Sequence, residues 1–189
     1  MLIQIQSGAF DIEKPEIRLS DIIHNLGAIN RYTGSSDYSW SVAQHTILCE
    51  AISSGFKLPS SARLALLLHD APEAYIQDQN GVWKSLLGDW YKKVERRLEE
   101  AIAKKFGFDA ELFGNPIVGQ IDRAALYIES MCLFKNRVPE LWTTLDQQFG
   151  SAEICHEWIG ILRSCDGVFA HVDSVRETLK NLILTELAK

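Results

Sequence analysis

Residues 64–78 read LALLLHDAPEAYIQD, and no other stretch restricts the fold as tightly. Leu64 to Leu68 would be apolar on every side of a helix, so this segment belongs in the interior rather than on the periphery. Yet the run ends in His69-Asp70, and Glu73 and Asp78 follow. Ionisable groups carried inward lose hydration and need compensation. A divalent cation would supply it. On a continuous helix, Glu73 falls four residues beyond His69 on the same face, where a carboxylate could orient a metal-held water or take its proton.

The flanking patterns are mostly helical. Residues 1–17 alternate weakly, as a short strand or extended arm punctuated by Gly8 and Pro15. Ser20 is placed to cap a first helix, DIIHNLGAINRY, with Ile22, Ile23, Leu26 and Ile29 on one face. A turn cluster at 33–39 precedes a second helix from about Trp40 to Ser53. A third, entered through Pro59 with Ser60 and Ser61 as caps, runs on through LALLLHDAPEAY. Residues 90–107 are amphipathic and end on Gly107, as a helix C-terminus prefers. Pro116 opens another helix, and 151–164 and 172–188 carry two more. The expected fold class is all-α: one compact domain over residues 1–189 with a short extended N-terminal arm.

Composition removes several function classes. The 189 residues carry a net charge of −6, and Lys92-Lys93 and Arg96-Arg97 are interleaved with Glu95, Glu99 and Glu100. No basic stripe is available for a nucleic-acid polymer, although a small nucleotide can enter a locally positive pocket. The apolar runs fall far short of the ~20 residues that span a bilayer, and no leader pattern is visible. The four cysteines (Cys49, Cys132, Cys155, Cys165) show no paired spacing and read as reduced, buried thiols. The expectation is a soluble, cytoplasmic protein without a membrane partner. Spare apolar residues in the Trp90–Phe106 helix and around Trp142 and Trp158 suit a homo-oligomer, and suit a monomer's core equally well.

Further metal donors must come from elsewhere. His45 lies mid-helix with Ser41, Leu48 and Ile52 on its face; alone it reads as an ordinary core histidine. Asp122, among Val118, Ala125 and Leu126, alone reads as a partner for Arg123. Together, His45, His69, Asp70 and Asp122 offer two imidazoles and two carboxylates carried into an apolar interior by three helices. Such a mixed set with open positions suits Mn²⁺, Co²⁺, Fe²⁺, Ni²⁺ or Zn²⁺ better than Mg²⁺.

The order His…His-Asp…Asp resembles the signature of the HD-domain phosphohydrolases, which are helical metalloenzymes. SGAFDIEKPEIRLSDIIHNLGAINRYTG followed by SWSVAQHT is similar to the N-terminal half of small bacterial and phage members, and LLHDAPEAY to their central motif. The likeness covers roughly residues 7–135, and the C-terminal part, 136–189, with PELWTTLDQQFG and the SCDG turn, has no counterpart in it. It implies that His45, His69, Asp70 and Asp122 bind metal and that Glu73 serves the attacking water. It further implies that Arg31 and Lys84 contact phosphate, that Tyr32 packs on the nucleoside, and that Asp78 sits near the sugar or assists the water. Arg31 could instead pair with Asp37, Lys84 could be a solvated helix-start residue, and Tyr32 could be core packing. The implied substrate is a deoxynucleotide attacked at its α-phosphorus: dATP, giving deoxynucleoside and triphosphate, or alternatively a deoxynucleoside monophosphate. A helical nucleotide-binding or interaction module without turnover is the reading from another class. One departure stands out: DQNGVWK (78–84) lacks the two prolines common among relatives, and its Asn80-Gly81 pair suggests a flexible turn.

Overall fold

The computed structural model describes residues 2–164 and 172–189; Cys165, Asp166 and Gly167 of the SCDG turn lie outside them. The fold is all-α apart from one N-terminal hairpin. Strands β1 (Leu2–Ile5) and β2 (Gly8–Asp11) pair antiparallel, Leu2 opposite Asp11 and Ile5 opposite Gly8. Helices follow in order: α1 (Leu19–Ala28), α2 (Val42–Ile52), α3 (Ser60–Leu67), α4 (Glu73–Ile76), α5 (Gly81–Phe106), α6 (Pro116–Cys132), α7 (Pro139–Phe149), α8 (Glu153–Ser164) and α9 (Val172–Leu187). Among the described residues, no helix is long and apolar enough to cross a membrane.

The buried apolar residues form two clusters. One gathers α1, the second half of α5, α9 and the hairpin residue Phe10. The other gathers α6, α8 and Phe149 of α7. Helices α2 and α3 feed both: Val42, Ala43, Leu67 and Leu68 face the first cluster, and Leu48, Cys49, Ile52, Ala62 and Leu66 the second. Leu66, Leu67 and Leu68 are essentially inaccessible, which fits the all-round apolar pattern of this segment. Burying each contributes about 1.5–3 kcal/mol.

Several local expectations are corrected. The third helix is not continuous. It stops at Leu67, residues 68–72 form a turn, and α4 starts at Glu73. Pro72 has no N–H to return to the Leu68 carbonyl, and it biases Ala71 away from helix, so the chain breaks there. His69 and Asp70 therefore occupy a turn, and the one-face helix argument for Glu73 does not hold. Neither Ser20 nor Ser60-Ser61 caps by its side chain: α1 begins after Arg18 and α3 after Pro59 without a side-chain cap. Asn80-Gly81 is not a flexible turn but the start of α5, with Asn80 Oδ1 accepting from the Trp83 N–H at 3.1 Å. That helix begins nine residues before the expected Trp90 and is interrupted at Gly88 (φ 62°, ψ −144°), a conformation open to glycine. It ends as expected, on Gly107 at φ 78°. PELWTTLDQQF, without a counterpart in the resemblance, forms α7.

Helix α2 is capped on both sides of its first turn. Ser41 Oγ accepts from the Gln44 N–H at 3.2 Å and Gln44 Oε1 accepts from the Ser41 N–H at 2.8 Å. The Asn30–Ser41 bridge and the Arg31 N–H to Trp40 carbonyl bond (2.8 Å) fold the preceding loop back onto this start. Replacing Ser41 with alanine should lower unfolding free energy by about 1 kcal/mol. Urea denaturation followed by circular dichroism checks this; an unchanged midpoint would mean that the box does not hold α2.

Candidate metal centre

Three separated segments meet at one point. Helix α2 brings His45, the turn after α3 brings His69 and Asp70, and α6 brings Asp122. His45 Nε2 lies 3.3 Å from His69 Nε2, 3.1 Å from Asp122 Oδ1 and 3.6 Å from Asp70 Oδ2. His69 Nε2 lies 3.3 Å from Asp70 Oδ2. Donors bound about 2.1 Å from one cation stand about 3.0–3.4 Å apart along the edges of its coordination shell, a range that holds all of these separations except the slightly longer one between His45 and Asp70.

The tautomers point the same way. His45 Nδ1 donates to Glu129 Oε1 at 2.6 Å, and His69 Nδ1 donates to the Leu66 carbonyl at 2.7 Å. Each bond spends the Nδ1 proton and leaves a lone pair on Nε2. Two lone pairs and two carboxylate oxygens facing one another repel unless a cation or extra protons stand between them. Burial and Arg31 oppose charging of His45, but the Glu129 and Asp122 carboxylates favour it, and its pKa lies above the ordinary value. Burial works against ionisation of Asp70 and Asp122, and the histidines overcome it, lowering both.

Two further residues belong to this centre and escaped sequence reasoning. Cys49, one turn after His45 on α2, puts its Sγ 3.4 Å from His45 Nε2. His45, Cys49 and His69 form a cluster whose donor atoms lie within 4.8 Å of one another, close enough to hold a metal ion. Burial pushes the Cys49 thiol up to about 11, so in the absence of a cation it is a neutral S–H. Glu129, wholly buried on α6, accepts four hydrogen bonds: His45 at 2.6 Å, Tyr32 Oη at 2.5 Å, Trp40 Nε1 at 2.9 Å and Arg31 Nε at 3.2 Å. Burial would raise its pKa, but Arg31, His45 and Tyr32 bring it down to about 2. The available signals were spacings: Cys49 four residues from His45, and Glu129 seven from Asp122, two turns along one apolar face.

The remaining expected residues border a cleft of about 400 Å³ beside the centre. Arg31, Tyr32, Asp70, Glu73, Asp78, Lys84 and Asp122 all line it. Asp122 is 39% exposed, whereas His45 is fully covered, so the centre opens to the cleft on its α6 side. Arg31 does not pair with Asp37; its Nε bonds Glu129 and its Nη1 bonds Asp70 Oδ2 at 3.3 Å. Asp37 Oδ2 instead accepts the Lys135 N–H. Lys84 is no solvated helix-start residue, because its ammonium sits 2.9 Å from Glu95 and 3.7 Å from Glu73. Glu73 is buried, and its Oε2 has no hydrogen-bond partner among the described residues. Burial, then Asp70 and Asp78, raise its pKa well above the ordinary carboxylate value. Asp78 is raised as well, chiefly by burial. Tyr32 packs edge-on against Phe134 and Trp142. Tyr32 and Thr33 adopt left-handed backbone (φ 58° and 52°), as does Gln77 (φ 69°) beside Asp78. Such conformations cost about 1 kcal/mol or more each and persist where neighbours over-determine them.

No family model matches the chain. It is 38% identical over 96 residues to the uncharacterized protein YfdR of Escherichia coli, covering 51% of each chain. It is 36% identical over 101 residues to the uncharacterized protein RCAP_rcc00048 of Rhodobacter capsulatus, covering 51% of this chain and 52% of that one. The chain spans about half the length of the curated relatives it matches.

Replacing Glu129 with alanine leaves Arg31 and His45 buried without their carboxylate. The expected loss is about 3–5 kcal/mol of unfolding free energy, read by chemical denaturation. A loss below about 1 kcal/mol, within the range of an ordinary single hydrogen bond, would show that this carboxylate does not organise the centre.

Proposed function

We propose that this chain is a metal-dependent phosphohydrolase that cleaves deoxynucleotides at the α-phosphorus, in the manner of the HD-domain enzymes its sequence resembles. The observation that supports the reading is the convergence of His45, His69, Asp70 and Asp122 to 3.1–3.6 Å at the mouth of a polar cleft. These four residues would hold the ion, Mn²⁺, Co²⁺, Fe²⁺, Ni²⁺ or Zn²⁺ in preference to Mg²⁺. A divalent cation so held acidifies water and neutralises phosphoryl oxygens.

The chain's own groups divide the rest of the chemistry. Glu73, with an unpartnered oxygen and a raised pKa, accepts the proton of the attacking water. Water adds at phosphorus, the bond to the 5′ oxygen breaks, and that oxygen leaves with a proton as the free deoxynucleoside. Arg31 has Nε and Nη1 committed to Glu129 and Asp70, leaving Nη2 for a phosphoryl oxygen. Lys84 reaches phosphate by exchanging its carboxylate partners. The Tyr32 hydroxyl is held by Glu129, so the ring is the part that meets the nucleoside. Asp78 lines the cleft where the sugar would lie.

Sequence resemblance places dATP first among substrates. One observation favours the monophosphate alternative: among the described residues lining the cleft, Arg31 and Lys84 alone are cationic, and both already meet carboxylates. A triphosphate needs more positive charge than that.

Incubation with dAMP and dATP plus Co²⁺ or Mn²⁺ separates these readings by product. Inorganic phosphate from dAMP marks a 5′-deoxynucleotidase; triphosphate from dATP marks a triphosphohydrolase. Asp70→Ala should abolish metal retention and turnover together, whereas Glu73→Ala should keep the metal and lose about 10²–10⁴-fold in turnover. Loss of metal from Glu73→Ala would refute its role as base. Wild-type protein with neither bound transition metal nor activity after metal addition would leave the non-catalytic module.

A further inference from the structure

Large apolar side chains on the first turns of α5 stay exposed and join neither apolar cluster of the described residues. Val82, Trp83, Leu86 and Leu87 are 70%, 53%, 70% and 44% exposed, and Trp90, just past the Gly88 break, is 60% exposed. Of the residues expected to suit an oligomer, Trp90 belongs to this exposed set, while the others are largely used inside: Phe106 packs on the first cluster, Trp158 on the second, and Trp142 against Tyr32 and Phe134. Five large side chains at these exposures present roughly 600 Å² of apolar surface, the upper end of what a monomer shows in one patch.

We propose that residues 82–90 form a two-fold homodimer interface, this face laid against its copy in a second chain. Area is the first argument. Two such patches bury roughly 1,200 Å² together, the lower bound for a specific, stable interface. Composition is the second. Two tryptophans surrounded by leucine and valine form the kind of cluster that dominates interface energies. Charge is the third. Between Gly81 and Tyr91 the charged residues are Lys84 and Asp89, and the Lys84 ammonium is turned toward Glu73 and Glu95. The face thus has almost no charge to repel an identical face, as a self-complementary contact requires. The same lack of cations, with a net charge of −6, disfavours an anionic membrane as the occupant. The contact would stand beside the cleft, because Asn80, Gly81 and Lys84 of the same segment line it.

Solution mass by light scattering across a concentration series tests this. Wild type should run as a dimer, and Trp83→Glu/Leu86→Glu should show half that mass with unchanged helical circular dichroism. In a separate variant, Leu86→Cys should yield a disulfide-linked dimer under mild oxidation, a readout that does not depend on the charged variant folding. Monomeric wild type at tens of micromolar, a dimer that survives the double substitution, or a Leu86→Cys variant that stays uncrosslinked would overturn the proposal. So would co-sedimentation of a monomer with phosphatidylserine vesicles, which would assign the face to a membrane.

Discussion

The centre depends on a single buried carboxylate. Glu129 accepts from His45, Tyr32, Trp40 and Arg31, residues far from it in sequence. Its hydrogen bond fixes the His45 tautomer. Its ion pair holds Arg31 within reach of Asp70. Its bond to the Tyr32 hydroxyl stabilises the left-handed backbone at Tyr32 and Thr33. Buried charges of this kind survive only when paired and fully hydrogen-bonded, and Glu129 is both.

The scaffold serves this arrangement. Helices α2 and α3 lie between two apolar clusters and belong to both, so neither can shift without disturbing the packing of the other. That fixed packing matters for a cluster built from single side chains on three segments, whose relative positions only the surrounding core can set. By contrast, the wall formed by residues 77–90 has a strained Gln77 at one end, an interruption at Gly88 and a largely exposed apolar face between them. Lys84 sits on this wall, whereas His45, His69, Asp70 and Asp122 come from α2, the turn after α3, and α6.

Much of the helical fold was legible because apolar periodicity and end signals act locally. Pro116 and Gly107 begin and end their helices where the residues imply. That His45, His69, Asp70 and Asp122 would meet was legible for a physical reason: each is ionisable and sits among apolar neighbours, and buried charges seek company. Glu129 and Cys49 have the same character, but no local pattern reveals which face of α2 turns toward α6. The break at 68–72 was legible in Pro72, yet the apolar run before it suggested one longer helix. Trp83 and Leu86 went unread because exposure is a property of packing, and an apolar stripe at helical spacing ordinarily faces a core.

X-ray absorption at the metal edge, on protein loaded with one equivalent of Co²⁺, tests the central claim most directly. The expected result is stoichiometric binding, nitrogen and oxygen donors at about 2.1 Å, and outer-shell scattering from two imidazoles. Failure to bind one equivalent, or a shell containing fewer than two imidazoles, would contradict it.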